Sequence, residues 1–418
     1  MQSLLREEQY VVLELGSYAL HAHKGVQDLL GRSASLASFP ARYVKPLSSQ
    51  SEVKDKDEFK DMEEEQGLLL GAALIGAEEG GATWDSERLV QPIQRGQIVD
   101  WEGLEVLLKH VIVHTLRVST ARNASPLLLA ISEAMSLSDR ERLAQLAFEK
   151  LNTPALLLIE QPICALYGVN TLSGLVIDIG HETTNIVPIL DTAVQAQAVI
   201  ELPIGGKDLE ECFLEKARVD KDFQEGLGGI KLDLAFVRAL KESGHCSVLS
   251  SSSKPQNSEK SSSDETFEYN GQSVTLSKLR HSMAEPLFDP LGHGLKAIPG
   301  LVQAVHLSLS YLDPERRALL RERVLLTGGV SQLPDLAERL ERDLRGLVPT
   351  PESGERVESI MYSEIPRCFR DWREEPQRPG LLGGSIYAKV AFGDARNYIS
   401  KADYNEHGPP IVRSKGSA

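Results

Sequence analysis

The sequence predicts an α/β protein built from two similar halves. Short, continuously apolar runs alternate with amphipathic helices, and the connections between them are short. A strand–turn–strand pattern near the N-terminus also recurs near residue 175. Apolar strands separated by helices are typical of a parallel sheet covered by helices. Two halves that each carry such a hairpin predict a central cleft to which each half contributes one turn.

The first half starts with a hairpin and continues with strand–helix–strand units. The apolar runs 10–15 and 18–24 flank a Gly-Ser turn and predict two strands. Apolar residues that recur at the 3.6-residue period then predict an amphipathic helix. These apolar residues are Leu104, Leu107, Leu108, Val111 and Ile112. Buried strands are predicted over 126–131 and 155–159. The helix between them is predicted to start with a capping box, Ser138 with Glu141. Its inner stripe is predicted to be Leu143, Leu146, Ala147 and Leu151.

The second half repeats this order. Three apolar runs predict a meander, and they are 174–180, 184–190 and 196–202. A helix is predicted from Gly206, a later hairpin is predicted to turn at Asn270-Gly271, and a buried strand over 323–329 ends in two glycines. Two polar segments, the acidic 48–66 and the Ser-rich 246–265, are interpreted as solvated insertions.

Composition excludes several classes of function. Lys+Arg total 45 and Asp+Glu 60, a net charge of −15, so we expect no direct DNA binding, because phosphate binding needs Lys and Arg. The four cysteines form no CxxC pair, which excludes a zinc ribbon and suits a reducing compartment. The apolar stretch 67–77 is shorter than the ~20 residues that span a bilayer, and the N-terminus lacks a secretory signal pattern. We therefore expect an intracellular protein without a membrane partner.

Several motifs, in the expected order, resemble the actin family. FEKLNTPALLLIEQPICALY followed by GLVIDIGHETTNIVPI resembles its central helix–strand–helix and second phosphate hairpin. PIQRGQIVDWEGLE resembles the segment that opens the helix after the second subdomain, and RVLLTGGVSQLPDLAERL resembles the late nucleotide-pocket strand with its Gly-Gly turn. LLGGSIYAKV and YISKADYNEHGPPIV resemble the C-terminal signature of the family. The resemblance implies an actin-like, ribonuclease H-like duplicated fold in which two α/β domains flank a central cleft. It implies a small domain over 1–167, a large domain over 168–362, and a return to the small domain over 363–418.

The resemblance also implies an ATP site between two phosphate hairpins. The positions that match its scaffold are Glu14 (where the family has Asp), Gly16, Ser17, Asp178, Gly180, Gly206, Gly328 and Gly329. Gln161 matches a water-positioning glutamine, and Asp178 matches an acidic residue that orders water around the metal.

Other positions of this site depart from the family. Tyr18 replaces a glycine, His21 the phosphate-binding lysine, and Glu182 a second glycine. His181 and Asn185 also differ, and Val330 and Leu333 replace polar positions near the base. A carboxylate ~4 Å from a phosphate charge is repelled by ~4 kcal/mol at an effective dielectric constant of 20. We therefore expect a degenerate site with no cofactor, no metal and no ATP hydrolysis, in which Gln161 and Asp178 are vestiges.

Among divergent members, the chain most resembles the actin-related protein nine group of fungi, core subunits of the SWI/SNF and RSC remodelers. This implies a non-catalytic nuclear scaffold that pairs with a second actin-related protein. It also implies binding of the helicase–SANT-associated helix of the remodeler ATPase, as a helix in a groove. The groove residues we expect are Leu166, Tyr167, Ile386 and Val390.

Two other functions stay open at this point. One is a divergent subunit at the pointed end of dynactin, and the other is a weakly ATP-binding ATPase or sugar kinase of the same superfamily. We expect no homopolymer, because the segment between Tyr43 and Glu87 does not match the loop that inserts into the next subunit of a filament.

Overall fold

The computed structural model describes residues 5–30, 36–45, 68–79, 88–248, 265–295, 298–347 and 360–416. The acidic segment 48–66 and residues 249–264 of the Ser-rich segment lie outside the described residues. The chain divides into two compact units, Met1–Asn170 with Ile365–Ala418, and Thr171–Glu364. Each unit has its own sheet and its own hydrophobic core.

Strands and helices alternate as an α/β fold requires. The strands are β1 (Val11–Leu15), β2 (Ala19–Lys24), β3 (Leu36–Pro40), β4 (Tyr43–Val44), β5 (Leu89–Val90), β6 (Ile93–Gln94), β7 (Gln97–Ile98), β8 (Leu127–Ile131), β9 (Ala155–Glu160), β10 (Gly174–Ile179), β11 (Thr184–Leu190), β12 (Ala193–Val194), β13 (Ile200–Leu202), β14 (Glu265–Tyr269), β15 (Gln272–Leu276), β16 (Val324–Thr327) and β17 (Ile399–Ser400). The helices are α1 (Gly71–Glu79), α2 (Trp101–His110), α3 (Leu137–Gln145), α4 (Gln161–Gly168), α5 (Gly206–Val219), α6 (Lys221–Gly226), α7 (Leu234–Glu242), α8 (Glu285–Phe288), α9 (Leu301–Ser310), α10 (Pro314–Arg321), α11 (Leu336–Leu347), α12 (Pro379–Ala391) and α13 (Lys401–His407). The α/β class predicted from the sequence is confirmed.

The first unit is built on a six-stranded sheet with the order β17-β9-β8-β1-β2-β3. Strands β1, β8 and β9 run parallel, while β2, β3 and β17 join antiparallel. Every residue of β8 is buried, which agrees with its uninterrupted apolar sequence. Helix α12 packs against β1 and β8 and against α4. The last segment of the chain therefore completes the core of the unit in which the chain begins.

The helices α2 and α3 bury the apolar stripes predicted for them. Each continues into one π turn, Val111–Thr115 after α2 and Leu146–Lys150 after α3. A left-handed residue follows each turn, Arg117 with φ 55° and Asn152 with φ 53°. The amide of Leu116 donates to Val111 O, and the amide of Leu151 donates to Leu146 O. The C-terminal ends of the two helical segments therefore have the same hydrogen-bond pattern.

The predicted cap of α3 is wrong by two residues. The N-cap is Ser136, whose Oγ accepts from the Asp139 amide at 3.1 Å and donates to the Asp139 carboxylate. Ser138 lies inside the helix, and Glu141 instead accepts from Arg413 at 2.6 Å. The sequence offers two overlapping Ser-x-x-acid patterns, and the first is used because the chain becomes helical at Leu137.

The second unit has a sheet with the order β12-β11-β10-β16, and β13 pairs with β11. The predicted strand over 196–202 is only partly present. Ala196–Ala198 forms a 3₁₀ turn, and the strand is confined to Ile200–Leu202. The predicted hairpin is confirmed: Asn270 (φ 50°) and Gly271 (φ 77°) connect β14 to β15. Within the described part of the chain, no helix is long and apolar enough to cross a membrane.

Candidate functional site

The first candidate element is the turn between β1 and β2, which holds Gly16 and Ser17. Two side-chain amides fix it from outside the hairpin. Gln161 Nε2, at the start of α4, donates to Leu15 O at 2.8 Å, and Gln91 Nε2 donates to Ser17 O at 2.6 Å. The structure therefore gives Gln161 a backbone hydrogen bond within its own unit, at the turn to which the sequence assigned it.

The side chain of Tyr18 is held by a cation at the side of this turn. The Arg42 guanidinium carbon lies 5.2 Å from the centre of the Tyr18 ring. The same guanidinium forms an ion pair with Glu78 of α1 at 2.7 Å. A cation over an aromatic face is attractive. A large ring and its contacts therefore stand at a position where the family has glycine.

His21 lies opposite Glu14 in the register of β1 and β2. Burial, together with a smaller effect of the nearby Arg378, lowers the pKa of His21 to about 4. The imidazole is therefore uncharged near neutral pH. The position at which the family has a phosphate-binding lysine carries no positive charge in this chain.

In the second unit Asp178, near the end of β10, lies against Gly328, which follows the adjacent strand β16. Burial raises the pKa of Asp178 to about 6. Gly328, at φ 86°, comes so close that a Cβ there would lie 2.4 Å from Asp178 Oδ1. Asn185 lies opposite Asp178 on β11, and among the described residues its Oδ1 has no hydrogen-bond partner. Only glycine fits at 328, so the Asp178–Gly328 contact explains one of the two glycines after β16.

The start of α5 is joined to this turn by backbone hydrogen bonds. The Gly206 amide donates to Gly180 O at 2.9 Å, and the Lys207 amide donates to His181 O at 2.8 Å. The Gly180 amide donates to Thr183 O at 2.9 Å. Backbone amides that point at a ligand are one way in which a turn or a helix start holds a phosphate. These three amides bind carbonyl groups of the same unit instead.

A buried group of charges lies beneath this turn and was missed by the sequence analysis. Glu210 of α5 is 1% exposed, and it binds Lys241 at 2.5 Å and Arg238 at 3.1 Å. Burial lowers the pKa of the neighbouring His181 to about 4, against the opposing effect of Glu210. One signal in the sequence could have revealed the group. Glu210 occupies a position of the buried stripe of α5, between Leu209 and Phe213.

Residues 328–333 include two apolar side chains that the sequence assigned to the base-binding region. Val330 and Leu333 are both buried. Val330 Cγ2 would lie 3.0 Å from a Cβ on Gly206, so this segment packs on the start of α5. The structure thus brings the predicted positions Asp178, Gly180, Gly206 and Gly328 together within one unit. Gly329 follows directly, and no described atom lies within 4 Å of a Cβ placed on it.

The expected partner groove lies along α4 and α12 in the first unit. These helices meet backbone to backbone: a Cβ on Gly383 would lie 1.7 Å from Cys164 O, and one on Gly168 would lie 2.1 Å from Pro379 O. We call this contact the glycine seam. Leu166 is only 1% exposed and lies in the core beneath the surface. Val390 is 67% exposed.

Two tyrosines lie beside the seam. The rings of Tyr167 and Tyr387 are 5.1 Å apart, and both side chains are half-buried, as is Ile386. The surface of α4 and α12 beside the seam is therefore formed by four side chains, those of Tyr167, Tyr387, Ile386 and Val390. We call these four residues the outer face. Of the four groove residues predicted, Leu166 supports this face rather than lining it.

The two units share one plan, in which an antiparallel hairpin follows the first strand and a parallel strand lies on that strand's other side. This plan, with a glycine-containing turn in each hairpin, defines a duplicated α/β protein of the actin fold. The sequence model of the family described as Actin matches residues 6–224 and 232–417. The chain belongs to the actin family.

Relatives of the chain include actin-related and actin-like proteins. Actin-related protein 7 of Oryza sativa subsp. indica is 31% identical over 348 residues, covering 79% of this chain and 86% of its own length. Actin-like protein 9 of Homo sapiens is 31% identical over 330 residues, covering 78% of this chain and 73% of its own length. Actin-related protein 7 of Arabidopsis thaliana is 28% identical. These matches place the chain among the actin-related proteins and do not single out the fungal group that the sequence analysis named.

Proposed function

We propose that the protein is a non-catalytic, nuclear actin-related subunit of an ATP-dependent chromatin-remodeling complex of the SWI/SNF or RSC type. In this proposal it pairs with a second actin-related protein and binds the helicase–SANT-associated helix of the remodeler ATPase. The similarity to proteins named actin-related protein 7 supports the actin-related part of the proposal. The resemblance to fungal actin-related protein nine supports the assignment to a remodeler.

The observation that carries the proposal is that the start of α5 donates its amides to the turn of the second hairpin, while the first hairpin carries an uncharged imidazole. The amides of Gly206 and Lys207, at the start of α5, donate to the carbonyls of Gly180 and His181 in the turn of the second hairpin. The first has a neutral His21 where a phosphate would need a cation. A phosphate is bound chiefly by backbone donors and positive charge. A chain that uses these groups internally is suited to a structural role and not to ATP turnover.

The outer face supports binding of a helix. It combines a large exposed aliphatic residue, Val390, with two aromatic rings and Ile386 on a pair of helices that the glycine seam packs closely. An amphipathic helix binds through apolar residues spaced three and four apart, and such a face suits it. Aromatic residues are enriched among those that contribute most to binding.

The partner part of the proposal is tested by purifying the tagged full-length protein from its native source and identifying its partners by mass spectrometry. We expect a remodeler ATPase and a second actin-related protein. Val390→Glu combined with Ile386→Glu should remove the ATPase from the complex. Val219→Glu, which changes an 80% exposed valine of the other unit, is the matched control and should leave the complex intact. Dynactin components in place of a remodeler would contradict the proposal.

The non-catalytic part is tested by equilibrium titration of the protein with ATP and magnesium. We expect no binding in the micromolar range and no release of phosphate above the rate without protein. Micromolar affinity would refute this part of the proposal and favour a weak ATPase.

A further inference from the structure

Two cations of α7 bind one buried carboxylate of α5. Glu210 Oε1 accepts from Lys241 Nζ at 2.5 Å. The other oxygen, Oε2, accepts from Arg238 twice, from Nη2 at 3.1 Å and from Nε at 3.3 Å. Arg238 and Lys241 are three residues apart on α7, so both side chains leave the same face of that helix. Each oxygen of the Glu210 carboxylate is therefore matched to one cation.

This group lies next to the turn of the second hairpin. Lys241 Nζ would lie 2.9 Å from a Cβ on Gly206, the first residue of α5. The charges of the group also act on the turn itself. Burial lowers the pKa of His181, Glu210 opposes this shift, and both cations of α7 add to it. An anion held by the two cations is therefore placed beside the turn.

An arginine and a lysine that converge on one point form an arrangement that binds oxyanions. Carboxylate and phosphate oxygens accept the same charge-assisted hydrogen bonds from guanidinium and ammonium groups. The side chains of Arg238 and Lys241 are 29% and 11% exposed, so the cations are open to solvent on one side. Leaving such cations without a counter-ion is unfavourable. In this chain the counter-ion is Glu210, which is 1% exposed.

We propose that Arg238 and Lys241 form an oxyanion site that Glu210 fills from within, so that Glu210 is the residue that prevents phosphate from binding there. The ligand class that it excludes is a small phosphate, free or as part of a larger compound. Glu210 acts through its charge, and an uncharged side chain of the same shape opens the site. This inference goes beyond the proposed function, because it concerns charges within one unit and holds whatever the partner is.

The direct test is a titration of full-length Glu210→Gln with sodium phosphate by calorimetry. Glutamine keeps the shape of the side chain and removes the charge that repels an anion. We expect the variant to bind phosphate at least about tenfold more tightly than the original chain does, since both cations are then available to the ligand. Equal affinities in the two proteins would overturn the proposal and leave Glu210 with a structural role only.

Thermal unfolding provides a second measurement. Phosphate at about 50 mM should raise the Tm of Glu210→Gln by ~4–8 °C more than it raises the Tm of Glu211→Gln. Glu211→Gln removes an exposed glutamate of the same helix, so it corrects for the general effect of phosphate on stability. If Glu210→Gln does not fold in dilute buffer, phosphate should raise its refolding yield above that in sodium chloride of equal ionic strength. Equal yields in the two salts would contradict the proposal.

A second substitution locates the bound phosphate. Adding Lys241→Met to Glu210→Gln removes one of the two cations and leaves a smaller uncompensated charge. The double variant should be at least as stable as Glu210→Gln, and it should lose most of the response to phosphate. An unchanged response would mean that phosphate binds elsewhere, and this would also overturn the proposal.

The inference and the proposed function fail on different results. A native complex without a remodeler ATPase would refute the proposed function and leave the phosphate response of Glu210→Gln unaffected. ATP binding by the original chain would refute its non-catalytic part, whereas the inference is decided by the ratio of phosphate affinities between Glu210→Gln and the original chain. A ratio of one would refute the inference alone.

Discussion

The two hairpins follow equivalent strands of their units but are held by different kinds of contact. In the first, carbonyl groups of the turn accept from the side chains of Gln161 and Gln91. In the second, carbonyl groups of the turn accept from backbone amides at the start of α5. Backbone hydrogen bonds do not depend on side-chain identity, whereas side-chain bonds do. The second turn should therefore depend on its glycines and on the charges beneath it, and the first on individual side chains.

The largest effect is expected at the charges beneath the second turn. Glu210→Ala would leave Arg238 and Lys241 without their buried carboxylate, and breaking such a group costs ~3–5 kcal/mol. Urea denaturation followed by circular dichroism measures the change. Glu211→Ala removes an exposed glutamate of the same helix and should change stability by less than ~0.5 kcal/mol. Equal effects of the two substitutions would show that the group is not a structural requirement.

The next effect concerns the first hairpin and appears only in acid. The pKa of His21 is lowered to about 4 from its ordinary 6.5, so the unfolded chain binds this proton more readily than the folded chain. Stability from this residue is therefore present above pH 6.5 and is lost as the pH falls toward 4, by ~2–3 kcal/mol at pH 4.5.

His21→Asn should remove that share of the acid sensitivity. The measurement is the difference in unfolding free energy between pH 7 and pH 4.5, which should be smaller in the variant than in the original chain. His407→Asn, which changes an exposed histidine of the same unit, controls for loss of one imidazole. A variant with the same acid sensitivity as the original chain would show that His21 is not buried as described.

A smaller effect is expected from the paired glycines after β16. Gly328→Ala should destabilise by ~1–3 kcal/mol, because φ 86° with ψ 160° is a glycine conformation and the new Cβ would meet Asp178 Oδ1. Gly329→Ala is the matched control, since a Cβ there meets no atom of the described residues within 4 Å. Thermal unfolding of the two variants side by side is the measurement. Equal losses would remove the distinction between these glycines.

The smallest effect is expected beside the first turn. Arg42→Ala removes both the cation over Tyr18 and the partly buried ion pair with Glu78, which together are worth ~1 kcal/mol. Arg396→Ala, at an 88% exposed arginine of the same unit, should have no measurable effect. Denaturant midpoints are sensitive enough to tell the two apart. A loss above ~3 kcal/mol would mean that the first turn depends on Arg42 as strongly as the second depends on Glu210.

The elements that the sequence predicted well are those decided locally. The Gly16-Ser17 and Asn270-Gly271 turns are examples, because turn residues and alternating strands determine a hairpin over a few positions. The cap of α3 was also a local question, yet it was predicted wrongly because Ser136 and Ser138 both begin a suitable pattern. Family resemblance added the overall fold, which periodicity alone did not determine.

Features that depend on contacts between distant segments could not be predicted. Glu210 was not identified from the sequence, since only the fold brings Arg238 and Lys241 against it. Leu166 was assigned to a groove, but the close approach of α4 and α12 buries it. Glu14 Oε1 would lie 2.9 Å from a Cβ on Gly380, 366 positions away in the chain, and a single sequence contains no signal for such a close approach.

The glycine seam has a consequence for how this protein can change during evolution. Where two helices touch through their main chains, no neighbouring side chain can shrink to make room for a larger residue at Gly168 or Gly383. A larger residue is therefore excluded at those two positions, whereas packing inside the protein constrains Ile386 and Val390, beside the seam, much less. A new binding specificity can arise there without any compensating change inside the molecule.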